Sequence, residues 1–227
     1  MKKVLFAILF TLTLVASFAS AAVDLNLTYA SQYIWRGFNM TASQPGLQPG
    51  VSVPLGESGV TFSVWGNYNI GSTTAKEFTE LDGTLDYSFS AVGIDYSLGY
   101  TYYTFPNLSG AAAKTGEFYA GASLPNLPFG PGLTVYYDHD QGAGTYAALS
   151  GGKDLGSVSA GLTIGYNAGQ WGAKSGTTDT TISLSKEFRA GSVVLTPSAN
   201  YVLISDSSVN TNSSEFWFGV DIAGVVL

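Results

Sequence analysis

Residues 92–102 alternate without a break. Val92, Ile94, Tyr96, Leu98, Tyr100 and Tyr102 are apolar or aromatic, and Gly93, Asp95, Ser97, Gly99 and Thr101 between them are small or polar. A strand turns successive side chains to opposite faces, so this segment has one apolar face and one polar face. Comparable segments of roughly ten residues, the length a strand needs to cross a bilayer, recur along most of the chain. Such a series predicts a closed sheet with lipid outside and a polar lumen inside. A soluble β-sandwich also alternates with period two. Two features weigh against it: most segments are apolar on one face for their whole length, and aromatics gather near segment ends, as an interfacial girdle requires.

The first 21 residues carry a different signal. Met1-Lys2-Lys3 is followed by an apolar run over residues 4–15 and by small residues through Ala21. This is the layout of a secretory signal peptide, and the apolar run is too short for a membrane-spanning helix, which needs about 20 residues. Cleavage is expected after Ala21, leaving one unit over 22–227. The chain has no cysteine, which excludes disulfides, thiolate metal sites, cysteine nucleophiles and a lipid-anchored N-terminus. Beyond the leader, 7 basic residues face 16 acidic ones, a formal charge of −9. That balance excludes nucleic acid as a partner, because phosphates call for Lys and Arg.

The pattern predicts an all-β, transmembrane, antiparallel up-and-down barrel of about twelve strands, over residues 23–35, 47–55, 60–70, 79–89, 92–103, 117–124, 133–138, 145–153, 158–167, 179–188, 193–204 and 215–223. Pro49 and Pro54 predict an irregular second strand. Short turns near residues 56–59, 90–91, 154–156 and 189–191 alternate with longer polar loops at 37–46, 71–78, 105–116, 168–178 and 205–214, as in outer-membrane barrels.

Strand parity sets the candidate site. Asp24, Trp65, Glu80, Asp82, Asp86, Asp95, Asp138, Asp179, Glu215, Trp217 and Asp221 point into the lumen, with Arg36 as the one base near the loop end. Pairing through a turn at residues 90–91 sets Asp86 opposite Asp95. Closure brings Arg36 toward Glu215 across the seam of the first and last strands, through Gln32 or water. Trp35, Tyr68, Tyr100, Tyr102, Tyr166 and Phe216 fall on the outside as a lipid-interface belt. His139 is the single histidine, and its neighbours Asp138 and Asp140 point to the other side of a continued strand, so the triplet makes no catalytic dyad. It reads as a solvated rim residue. No catalytic group, metal site or cofactor is expected.

The stretch from Asn26 to Gly37, then a polar loop and Gln44-Pro45 through Pro49-Gly50, resembles the opening of the TorF family of porin-like bacterial proteins, also known by the Gcw_chp conserved domain. Their first strand ends in an aromatic-x-aromatic-Arg-Gly pattern, matched here by Tyr33, Trp35, Arg36 and Gly37. A looser likeness runs over the mature chain in strand spacing and in Tyr100 and Tyr103. The resemblance implies an outer-membrane barrel with a pore role and carries over no catalytic residues. One departure is the ending Val225-Val226-Leu227, where such barrels commonly end in phenylalanine.

The expectation is a channel in the outer membrane for passive diffusion of small hydrophilic solutes, cation-favouring through its acid-lined lumen, with loops 105–116 and 168–178 as gates. The alternatives are a closed structural barrel that engages periplasmic or envelope partners and, behind it, an outer-membrane hydrolase. Implied partners are outer-membrane lipid and lipopolysaccharide, the barrel-assembly machinery, and small solutes or cations.

Overall fold

In the computed structural model the described residues are 22–71, 77–172 and 174–226. They form twelve long strands: β1 (Val23–Ala30), β2 (Gly46–Pro54), β3 (Val60–Asn69), β4 (Glu77–Ala91), β5 (Ile94–Thr104), β6 (Lys114–Ser123), β7 (Gly132–Asp138), β8 (Gly144–Asp154), β9 (Ser159–Ala168), β10 (Gly176–Ser185), β11 (Val193–Leu203) and β12 (Glu215–Val226). Each pairs antiparallel with its neighbours in sequence, and β12 returns to β1 with Val23 opposite Val226 and Ala30 opposite Gly219. The sheet is closed, and closure removes the exposed edges that an open sheet must protect. The expected leader over 1–21, residues 72–76 of a long loop and the C-terminal Leu227 lie outside the described residues.

The outer face is apolar. Leu85, Tyr87, Phe89, Leu98, Leu162, Ile164, Ile182, Leu184, Phe216 and Phe218 are all exposed, and they continue from strand to strand around the barrel. A water-facing surface does not carry so continuous an apolar band, whereas a bilayer requires one. Among the described residues no second sheet covers that face, so the sandwich alternative falls.

Two segments depart from the sequence expectation. The first strand ends at Ala30, five residues before Trp35. Ser31 still donates its N–H to the Phe218 carbonyl, and the chain then leaves the wall. Residues Ile34–Trp35 and Phe38–Asn39 form a separate two-stranded ribbon. The turn between β4 and β5 lies at Val92-Gly93 rather than at residues 90–91, since Ala91 pairs with Ile94. Both turn residues have positive φ, 49° and 78°, which marks the type I′ geometry that suits the twist of a tight hairpin. The two-residue shift sets Asp86 opposite Gly99 and Ser90 opposite Asp95, so the two carboxylates do not face each other.

The proline-bearing strand β2 keeps one register along β3, with pairing interrupted only between Leu47 and Gly50. The register shifts occur at Asn67/Tyr68 and Gly165/Tyr166, both near the loop end. Val92 is 94% exposed and β-branched at a left-handed position. Replacing it with asparagine, which favours that geometry, should stabilise the refolded barrel by roughly 1 kcal/mol of relieved strain and raise its urea midpoint. An unchanged or lower midpoint would contradict this turn.

Candidate functional site

The ribbon of residues 34–39 lies inside the barrel, not on its rim. Its turn is Arg36-Gly37, with φ of 50° and 81° and Trp35 opposite Phe38. This is again a type I′ turn, and it delivers the Arg36 side chain into the lumen, among the loop-end halves of β6, β7 and β8. A Cβ on Gly37 would stand 2.8 Å from the Asn210 side-chain amide and 2.8 Å from Cβ of Asp179. Glycine is therefore required twice, for φ and for room.

Arg36 makes a bidentate pair with Glu117 of β6, Nη1 to Oε2 and Nη2 to Oε1, both at 2.7 Å. Its Nη1 also donates to Gln170 Oε1 at 2.8 Å, and Gln170 in turn donates from Nε2 to Glu117 at 2.7 Å. Tyr103 donates its hydroxyl to Glu117 at 3.1 Å. Three rings flank the guanidinium, with centroids 4.4 Å away for Trp35, 4.3 Å for Tyr136 and 4.5 Å for Tyr146. Tyr146 then donates to Asp179 at 3.1 Å. The Arg36 and Glu117 side chains are 8% and 1% exposed. At such burial an unpaired charge is costly, so this geometry holds the ribbon in place. Gln170 comes from the loop after β9, where Asn167 accepts from its N–H and donates to its carbonyl.

The root of the ribbon is tied to β12. Gln32 Nε2 and Asn39 Nδ2 each donate to Glu215 Oε2 at 2.7 Å. The expected approach of Arg36 to Glu215 is thereby corrected: Gln32 does reach that carboxylate, but the inward ribbon carries Arg36 to Glu117 instead. Trp35 is corrected too. Its ring sits in the lumen, edge-on to Tyr103 at 6.4 Å, not in the lipid belt. Parity misplaced it because the strand it was counted along ends at Ala30. Tyr33 leaves the wall with it and packs 5.4 Å from Trp65, whose side chain the alternation of β3 points inward.

The other parity assignments sort by level. Along β7, Thr134, Tyr136 and Asp138 face inward at three depths. Thr134 lines a recess of about 500 Å³ at the turn end, with Ser88, Ser90, Asp95, Ser97, Ser123 and Ser150. Tyr136 flanks the guanidinium. Asp138 lines a second cavity, of about 430 Å³, at the loop end. Asp86 accepts from Tyr119 and Ser88, Asp95 from Ser90, and Asp221 from Thr28, all in the turn-end half. Asp24 is exposed near that rim. Glu80 is 5% exposed and lines the loop-end cavity. Asp82 lies opposite Trp65 and Tyr103, its Oδ1 buried without a hydrogen-bond donor among the described residues. Asp138 accepts from Thr115 at 2.8 Å, and Trp217 is half-buried opposite Asn200. Outside the barrel, Tyr102, Tyr166 and Phe216 are exposed and Tyr68 packs on Phe78. Tyr100 packs on Phe118 and His139, with its hydroxyl 3.3 Å from His139 Nε2. His139 thus belongs to an outer aromatic patch.

Glu117, Gln170, Tyr136 and Tyr146 are the site residues that sequence reasoning missed. Parity held the signal for Tyr136, since Tyr137 faces out, and for Glu117, one place from the outward Phe118. Gln170 carried none.

The sequence match decides the family. Residues 16–213 match the bacterial proteins of unknown function described as Gcw_chp. The chain belongs to the Gcw_chp family. No curated protein matches it in sequence. The fold of this Gcw_chp protein is similar to that of the KdgM porin, with TM-score 0.60, 10% identity and coverage of 90% of this chain and 99% of the porin. It is also similar to the NanC porin, at TM-score 0.56, 12% identity and coverage of 90% and 100%. The COG4313 outer membrane channel from Pseudomonas putida F1 gives 0.51, 12%, and coverage of 91% and 96%. At these identities the likeness is one of fold.

Gly37→Ala should cost at least about 1 kcal/mol of stability, and more than Gly56→Ala, whose Cβ would meet nothing within 4 Å at φ +63°. Urea unfolding of the two variants checks this, and equal costs would contradict the crowded turn.

Proposed function

We propose that this Gcw_chp protein is an outer-membrane channel for small hydrophilic solutes that favours cations and is narrowed in its loop-end half by the Arg36 ribbon. One observation carries the reading. Arg36 is the single described base that faces the lumen, it is already neutralised by Glu117, and the other acidic side chains of the described inner wall besides its phenols are carboxylates. A passage lined by one sign of charge in a low-dielectric wall concentrates the opposite ion. The fold likeness to porins and an outer membrane channel, together with the apolar outer band, supports the membrane location.

The ribbon's tight seating favours a second reading, a barrel closed at rest that serves as an envelope scaffold. A hydrolase is disfavoured by geometry. His139 Nε2 meets the phenol of Tyr100 on the outside, while Asp138 turns inward to Thr115, so among the described residues the two do not form an acid–base pair.

Planar-bilayer recording of the refolded chain from Ala22 onward separates the readings. The intact chain should give small cation-favouring steps, and replacing residues 33–41 with a short Gly-Ser link should enlarge them. Silence from both folded proteins would overturn the channel. Asp86→Asn with Asp95→Asn should move the reversal potential in a KCl gradient toward zero, and an unchanged value would remove the turn-end acids from selectivity.

A further inference from the structure

The loop-end cavity differs from the rest of the lumen. Its walls are Trp35 and Phe38 of the ribbon, Met40 just after it, Phe105 and Leu108 of the loop after β5, and Trp171 of the loop after β9. Its floor is charged: Glu80, Glu117 and Asp138 lie there, with Arg36 just beneath. Three carboxylates against one guanidinium leave the floor at a formal −2. A passage meant only for hydrated ions gains nothing from apolar walls, whereas a volume of about 430 Å³ lies within the range of small-molecule sites.

Trp171 adds a second observation. It sits in the left-handed region at φ 57° and ψ 29°, unusual for a bulky side chain, and stays 43% exposed. Its N–H donates to the Gly142 carbonyl at 2.6 Å. A Cβ on Gly144 would stand 2.3 Å from the Gln170 nitrogen, so glycine there lets the loop come in. Backbone strain of this kind persists where the surrounding structure imposes it, and it clusters at ligand sites. Here it holds an indole at the cavity wall.

We propose that the loop-end cavity binds a small organic cation with an apolar body, an aryl- or alkylammonium. The proposal rests on the cation-favouring reading above and names the class of solute. Aromatic faces attract an ammonium group through their quadrupoles, the floor charge repels carboxylates, and the apolar walls accept the body. Because Trp35 is shared by the cavity and the Arg36 cluster, an occupant touches the ribbon that narrows the lumen.

Calorimetric titration of the full mature chain in nanodiscs tests this at neutral pH with three probes of similar shape: phenethylammonium, 2-phenylethanol and phenylacetate. The ammonium should bind at least about fivefold tighter than the alcohol, as a cation–π contribution requires, and phenylacetate should give no heat. Trp171→Ala, in an exposed loop, should weaken the ammonium and the alcohol together. Glu80→Gln should weaken the ammonium alone. Equal affinity for ammonium and alcohol, no heat from the ammonium at millimolar concentration, or indifference to Trp171→Ala would each overturn the site. The titration needs no current, so the two readings fail separately. A potassium current beside an absent heat sinks the site, and a silent bilayer beside ammonium binding sinks the channel.

Discussion

The pairing of Arg36 with Glu117 governs the interior of this barrel. A guanidinium 8% exposed cannot stand in the lumen without a partner, and Glu117 meets it with both oxygens. The bond draws together three pieces of chain that are distant in sequence: the inward ribbon, strand β6 and the loop that carries Gln170. Taking two charges out of water is expensive, and a pair of this kind repays it only when the remaining donors and acceptors are filled. Gln170, Tyr103 and the three rings around the guanidinium do that filling. The lumen is divided as a result. A serine-rich recess lies on one side of the cluster and an aromatic cavity on the other.

The wall was legible in the sequence because its cause is local. A period of two, apolar against lipid and polar against the lumen, is written in each segment separately, and eleven of the twelve strands fall within a few residues of expectation. The exception is the first, where Tyr33 and Trp35 keep the alternation after the chain has left the sheet. Periodicity cannot distinguish an aromatic that faces lipid from one that packs inside a lumen; only the turn does. Arg36-Gly37 reads as the end of a strand, yet two successive positive φ values make it the tip of a hairpin. Val92 misled in the same way, since a β-branched residue in a type I′ turn runs against preference.

The candidate site was less legible because its partners are set by closure and by loops. Asp82, Glu80 and Asp179 could be placed inward by parity, but nothing local joins Arg36 to Glu117 across 81 residues or to Gln170 across 134. The aromatic-x-Trp-Arg-Gly stretch near the start of the barrel gains a physical meaning here. Four of its residues have a place inside the barrel: Tyr33 on Trp65, Trp35 against Arg36, Arg36 on Glu117, and Gly37 in a gap beside Asn210.

A double-mutant cycle between Arg36→Met and Glu117→Gln, read from urea unfolding of the refolded barrel, tests the central claim most directly. The account predicts a coupling of at least about 1.5 kcal/mol, as close charge pairs in desolvated settings give, with the double variant less impaired than the sum of the two single ones. A coupling near zero, or one that appears between Arg36 and Glu215 instead, would mean that the ribbon does not occupy the lumen.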